Sequence, residues 1–208
     1  MKAHIVTAHP EPRSFNFALS RLAVEVLRDA GHAVRCSDLY QEGFRASAGP
    51  GDFEKPSEVD PWQLASAQLD HATHGGFVAD IRREQENVAW ADLTILQFPI
   101  WWGSYPAILK GWIDRVLSYG FAYGRTRSLP PKAAMYSVTT GGAADEAEAA
   151  EYRERVDGLA DDVFGYLGWQ VLPPSICHGP AGVGAEARRQ MLDDFESHLQ
   201  RNVAAPEP

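Results

Sequence analysis

Short apolar runs alternate along this chain with segments whose apolar residues recur at helical spacing. Residues 3–8, rich in Ile and Val and followed by His9-Pro10, read as a buried strand stopped by proline. From Phe15, the residues Ala18, Leu19, Leu22, Ala23, Val26 and Leu27 return at spacings of three, four, seven, eight, eleven and twelve, which is one helical face. Ser14 is placed to cap that helix and Gly31 to end it. Residues 33–39 form a second strand. Residues 43–76 carry many Gly, Pro and Ser without clear periodicity and read as a long excursion, a feature compact domains keep for a function or leave mobile. A polar helix over 77–90 precedes the third strand, 93–98, which stops at Pro99. Pro106 opens a helix with Ile108, Leu109, Trp112, Ile113, Val116 and Leu117 on one face. A fourth strand over 133–138, an acidic helix over 145–167, a fifth strand near 170–172 and a last helix over 185–202 complete the chain.

Strands alternating with helices predict a parallel sheet covered on both faces, because right-handed crossovers place the helices there. The expectation is an α/β fold with one doubly wound, five-stranded sheet in the order 2-1-3-4-5, and a single domain over residues 1–208. In such sheets ligands bind beyond the carboxyl ends of the strands where the order reverses. Three loops leave that edge with unusual residues, 9–16, 99–105 and 139–142, and this order brings them together from distant parts of the sequence.

Composition narrows the partners. A net charge of −9 with no basic cluster argues against nucleic acid. Cys36 and Cys177 fit no C-x-x-C pattern, so neither a metal site nor a disulfide framework is expected. No stretch approaches membrane-spanning length and no signal segment follows Met1, so the expected location is the cytoplasm.

Each loop suits part of a flavin nucleotide. Ser14, Phe15 and Asn16 present N–H groups, a hydroxyl and an amide at a helix N-terminus, suited to phosphate, and His9 adds a donor. Taken alone, Ser14 serves equally as a cap and His9 as a satisfied loop histidine. The loop matches neither G-x-x-x-x-G-K-[ST] nor G-x-G-x-x-G. Pro99, Ile100, Trp101, Trp102 and Gly103 set two indoles where a planar ring needs flat apolar walls, although loop tryptophans also serve as core. Thr139, Thr140, Gly141 and Gly142 offer hydroxyls and unhindered N–H groups, as a plain turn also would.

Matched blocks run through almost the whole chain: residues 9–16, Ser37-Asp38-Leu39-Tyr40, Ala91-Asp92-Leu93, Gln97-Phe98-Pro99, Pro106-Ala107-Ile108-Leu109-Lys110-Gly111-Trp112, Phe121-Ala122-Tyr123, Thr139-Thr140-Gly141-Gly142 and Gly168-Trp169-Gln170-Val171-Leu172. In these the sequence resembles the NAD(P)H:quinone oxidoreductases of the flavodoxin-like superfamily, the DT-diaphorase and modulator-of-drug-activity type. The resemblance implies a homodimer with sites at the interface, a bound flavin, NAD(P)H as donor, quinone-type acceptors and ping-pong turnover. It places His9, Ser14, Phe15, Asn16 and Ala18 on phosphate and ribityl chain, and residues 99–103 and 139–142 on the ring. It sends Tyr123 across to the partner's substrate and sets Arg188 near an adenylate, and the excursion over 43–76 looks like that of the longer, FAD-binding members, so FAD is expected over FMN. Preorganised N–H groups at Gly141 and Gly142 are expected to stabilise the charge that hydride brings to the ring's edge, which makes Gly141 a catalytic candidate. A surface-helix arginine is the competing account of Arg188. The chain departs from vertebrate members after Gly142, where Ala143-Ala144-Asp145-Glu146-Ala147 replaces a tyrosine and histidine that assist hydride transfer. Arg125 replaces a second aromatic over the substrate. The rival roles are an acidic flavodoxin-like electron carrier and a regulatory subunit of a potassium-efflux transporter.

Overall fold

The structure is a computed structural model that describes residues 1–55, 60–125, 127, 129–143 and 145–203. Strands β1 (Lys2–Thr7), β2 (Ala33–Asp38), β3 (Leu93–Pro99), β4 (Ala133–Thr140) and β5 (Gln170–Val171) are parallel in the order β2-β1-β3-β4-β5. Their side chains alternate between two cores, as the period of an extended chain requires. Ala3, Ile5, Ile95 and Met135 pack on one face against α1 (Phe15–Asp29) and α6 (Ala185–Asn202). Val6, Leu96, Phe98, Tyr136 and Val138 pack on the other against Val88, Trp112 and Val156, which belong to α3 (Ala79–Trp90), α4 (Ala107–Val116) and α5 (Glu146–Ala160). All seven residues of β3 are buried, consistent with its central position.

The expected punctuation is present. Ser14 caps α1 by accepting from Phe17 N–H, and Gly31 turns the chain afterwards at φ +82°. Three features differ from the sequence reading. The excursion over 43–76, of which residues 56–59 lie outside the described residues, contains a 3₁₀ turn at Pro50–Asp52 and a helix, α2 (Leu64–His74). That helix escaped detection because its buried face is Ala67, Gln68 and His71 rather than an apolar stripe. Gln68 is held by Asp114 O and Tyr119 N–H, and His71 stacks on Phe53 with ring centroids 4.3 Å apart. The acidic helix α5 ends at Ala160 and passes into a π-helical turn, Asp161–Gly165. After β5 the chain bulges out and returns as β6 (Ser175–His178), which pairs with the far end of β4, Ser137 to Thr140. No helix among the described residues is long and apolar enough to cross a membrane.

Candidate active site

Asn16 ties the carboxyl edge together. Its Nδ2 donates to Thr139 Oγ1 at 3.0 Å and its Oδ1 accepts from Gln97 Nε2 at 2.9 Å, so the start of α1 is fixed to the ends of β3 and β4. The third loop joins through Ile100 N–H, which donates to Thr139 O at 2.8 Å. The three segments singled out in the sequence therefore meet at one edge. Buried and bonded through both amide heteroatoms, the Asn16 side chain acts as a strut, and its backbone N–H lies at the start of α1.

The N-terminus of α1 leaves its first N–H groups without intrahelical acceptors, and no carboxylate occupies the first turn. Ser14 Oγ holds Phe17 N–H, and Ala18 N–H bonds Ser14 O at 3.2 Å. Ser14 thus works as a cap, Ala18 contributes only its methyl, and the donors facing outward are the N–H groups of Phe15 and Asn16. His9 Nδ1 accepts from Glu11 N–H at 3.0 Å, which leaves Nε2 to carry the proton, and its ring lies 6.2 Å from that of Trp101.

Trp101 and Ser104 bond each other's backbone across a two-residue turn. Both central residues are left-handed, Gly103 at φ +71° and Trp102 at φ +50°. An indole in this region is uncommon and strained, the kind of outlier that clusters at functional sites. Trp102 is also fully exposed, at 104%. A side chain at Gly103 would collide with Arg155 Nη1, 2.2 Å from the ideal Cβ position. Between this turn and α5 lies a cavity of about 460 Å³ lined by Ile100, Trp102, Gly103, Tyr152 and Arg155, with Glu148 and Glu151 at its acidic side.

In the last loop Thr140 Oγ1 accepts from Gly142 N–H at 3.2 Å, so of the two glycine donors the Gly141 N–H stays available. A Cβ on Gly141 would meet no atom within 4 Å. Beside this loop lies a fourth segment that the sequence did not reveal. Gly179 N–H donates to Thr140 O, and His178 Nδ1 lies 3.1 Å from Thr140 Oγ1. Arg188 closes that segment, donating to Val183 O at 2.7 Å and Pro180 O at 3.4 Å. Tyr123 stands apart from the cluster, in a groove with Ile113, Leu117, Val163 and Tyr166.

A family model described as flavodoxin-like fold matches residues 1–199. The ribosyldihydronicotinamide dehydrogenase (quinone) of Mus musculus is 37% identical over 209 residues, spanning 96% of this chain and 90% of the relative. The chain belongs to the flavodoxin-like quinone oxidoreductases. Another member, NAD(P)H dehydrogenase (quinone) 1 of Rattus norvegicus, is 32% identical over 96% of this chain and 76% of its own. Among solved structures, a candidate quinone reductase from Klebsiella pneumoniae superposes with a TM-score of 0.84 at 34% identity, covering 96% of this chain and 84% of that one. This family implies a flavin, and the donor set fits one. Unsatisfied N–H groups and a His9 Nε2–H suit a phosphate, two indoles suit a flat ring, and the open Gly141 suits its polar edge. After Gly142 this quinone oxidoreductase runs Ala143-Ala144-Asp145-Glu146-Ala147, of which Ala144 lies outside the described residues.

Proposed function

We propose that this chain is a flavin-dependent NAD(P)H:quinone oxidoreductase acting by ping-pong turnover. The observation that carries it is the bridge Gln97–Asn16–Thr139, which fixes three loops of phosphate-binding, ring-stacking and N–H-donating character at one sheet edge. When bound, a flavin accepts hydride from NAD(P)H and passes it to a quinone, and the protein's part is to position it and set its electrostatics. Phe15 N–H, Asn16 N–H and His9 hold the phosphate. Pro99, Ile100, Trp101, Trp102 and Gly103 wall the ring, with Thr139 and Gly142 at its rim. Gly141 N–H would face the ring's polar edge, where a preorganised donor stabilises arriving negative charge without reorganising, with the Thr140 hydroxyl beside it. The FAD form is the reading for this chain, with the loop closed by Arg188 bordering the adenylate. The same reading makes it a homodimer in which Tyr123 covers the partner's substrate.

Purified protein given FAD or FMN is expected to turn yellow and to oxidise NAD(P)H with a simple quinone. Gly141→Val, whose Cβ would meet no protein atom within 4 Å beyond its chain neighbours, is expected to keep its melting temperature and lose at least ~10-fold in turnover, on the scale of a lost site donor. Colourless protein, or a valine variant with unchanged affinity and turnover, overturns the placement.

A further inference from the structure

Thr140 Oγ1 has one proton and two lone pairs, and three neighbours compete for them. It accepts from Gly142 N–H at 3.2 Å, donates to Gly142 O at 3.2 Å, and lies 3.1 Å from His178 Nδ1. The imidazole is half-buried at the end of β6, inside none of the segments that carried the family resemblance, and it is backed by the Tyr152 ring at 5.7 Å. A hydroxyl so placed points its proton according to what its neighbour offers.

We propose that His178 is a positioning residue that switches the Thr140 hydroxyl by gaining and losing a proton. Neutral His178 accepts a hydrogen bond from the Thr140 hydroxyl at Nδ1, so the hydroxyl presents a lone pair to the site. Protonated His178 donates from Nδ1 to Thr140 Oγ1, both lone pairs are occupied, and the hydroxyl proton swings away from the imidazole to Gly142 O at the edge of the site. This rests on the proposed function, which brings negative charge to the Thr140–Gly142 edge. That charge favours the protonated imidazole, so electron uptake draws one proton from solvent onto His178. Turnover balances: NAD(P)H supplies two electrons and one proton, solvent supplies the second proton, and the quinone leaves as the hydroquinone while His178 returns to neutral.

The surroundings suit a group that rests neutral and is charged on demand. Burial and Arg153 hold the His178 imidazole below its ordinary value, with Glu148 opposing them. Thr140 faces it from β4; Tyr152, Arg153 and Glu148 face it from α5; and Asp194, His198 and Arg201 of α6 line the same cavity of about 380 Å³.

The test is the midpoint potential of the bound flavin against pH, compared with His178→Gln, which retains a hydrogen-bonding amide but does not titrate. The wild type is expected to show one extra proton per two electrons over the window between the resting and charged states of His178. That is a tenfold shift in the oxidised-to-reduced ratio per pH unit, about 30 mV for a two-electron couple. Thr140→Ser is expected to retain this component and Thr140→Val to lose it. Equal slopes in wild type and His178→Gln overturn the proposal, and a retained slope in Thr140→Val overturns the hydroxyl's part in it. NMR titration of His178 in the wild type, oxidised and reduced, gives an independent reading that needs no variant to fold. A pKa that does not rise on reduction overturns the coupling. Protein that binds neither FAD nor FMN removes the functional reading and this inference together, whereas flavin binding with equal slopes removes only the inference.

Discussion

His4 lies in β1 with no solvent exposure, its Nε2 2.8 Å from Ser37 Oγ and 3.8 Å from Glu84 Oε2. Burial, assisted by Arg35, lowers its pKa to about 3. The imidazole is therefore neutral in the fold, and the contact with Glu84 is not an ion pair at neutral pH. Glu84 is held instead by Ser37 Oγ, Trp112 Nε1 and Asn87 Nδ2, with Arg83 Nε at 3.6 Å. The sign follows from the lowered value. An unfolded histidine takes up a proton below pH 6.5 and the folded one does not until about 3, so His4 favours unfolding increasingly as pH falls through that window. Its contribution is intact above pH 6.5, and each pH unit below costs up to about 1.4 kcal/mol. The urea midpoint is expected to fall between pH 6.5 and 4, and His4→Gln to flatten that slope while lowering stability at pH 7. A variant with the wild-type slope assigns the acid sensitivity to other histidines.

Helix α4 anchors the excursion that leads into α2. Arg115, 1% exposed, donates from Nε to Asp52 Oδ1 at 2.9 Å and from Nη1 to Arg45 O at 2.7 Å and Asp80 Oδ2 at 3.0 Å. Ala46 O lies 2.0 Å from where a Cβ on Gly111 would stand, so the segment rests directly on the helix backbone. Arg115→Leu strands the buried Asp52 carboxylate with Arg45 as its remaining cation, and is expected to cost ~3–5 kcal/mol. Thermal unfolding and limited proteolysis between residues 44 and 55 check this; a loss within ~0.5 kcal/mol, the range of an ordinary surface change, contradicts it. The same element level separates what could be read from sequence from what could not. The helices α1 and α4 and the strands β1 and β3 announce themselves because each sets a continuous apolar face on a core. Helix α2 buries glutamine and histidine, and β6 is a short edge piece after Pro173-Pro174, so neither leaves a hydrophobic period. The site divides likewise. Its loops were legible through Trp101-Trp102-Gly103 and Thr139-Thr140-Gly141-Gly142, but His178 sits on the unseen β6. Tyr152 and Arg155 lie among Glu148, Glu151 and Glu154 on a helix that reads as a solvated face.

At the scale of the whole molecule, the cluster at the sheet edge has one side open. Trp102 stands free of its own chain, and Tyr123 meets Tyr166 edge-on at 5.9 Å in a groove of about 330 Å³ that touches none of the three site loops. Tyr166 is 71% exposed. Two exposed aromatic features on one chain, one beside the site and one remote from it, are what a two-fold assembly needs when each protomer closes the other's pocket. The homodimer proposed above therefore makes a prediction that a monomer cannot meet. Tyr123→Ala together with Tyr166→Ala removes the cover but keeps the loops; Gly141→Val disables the loops but keeps the cover. Each variant alone is expected to have low quinone turnover. Equal mixing with subunit exchange puts an intact loop set opposite an intact cover in ~25% of sites, as random two-fold pairing requires, and activity is expected to recover to that order. Sedimentation as a monomer, or mixtures no more active than the separate variants, places Tyr123 and Tyr166 outside the catalytic assembly.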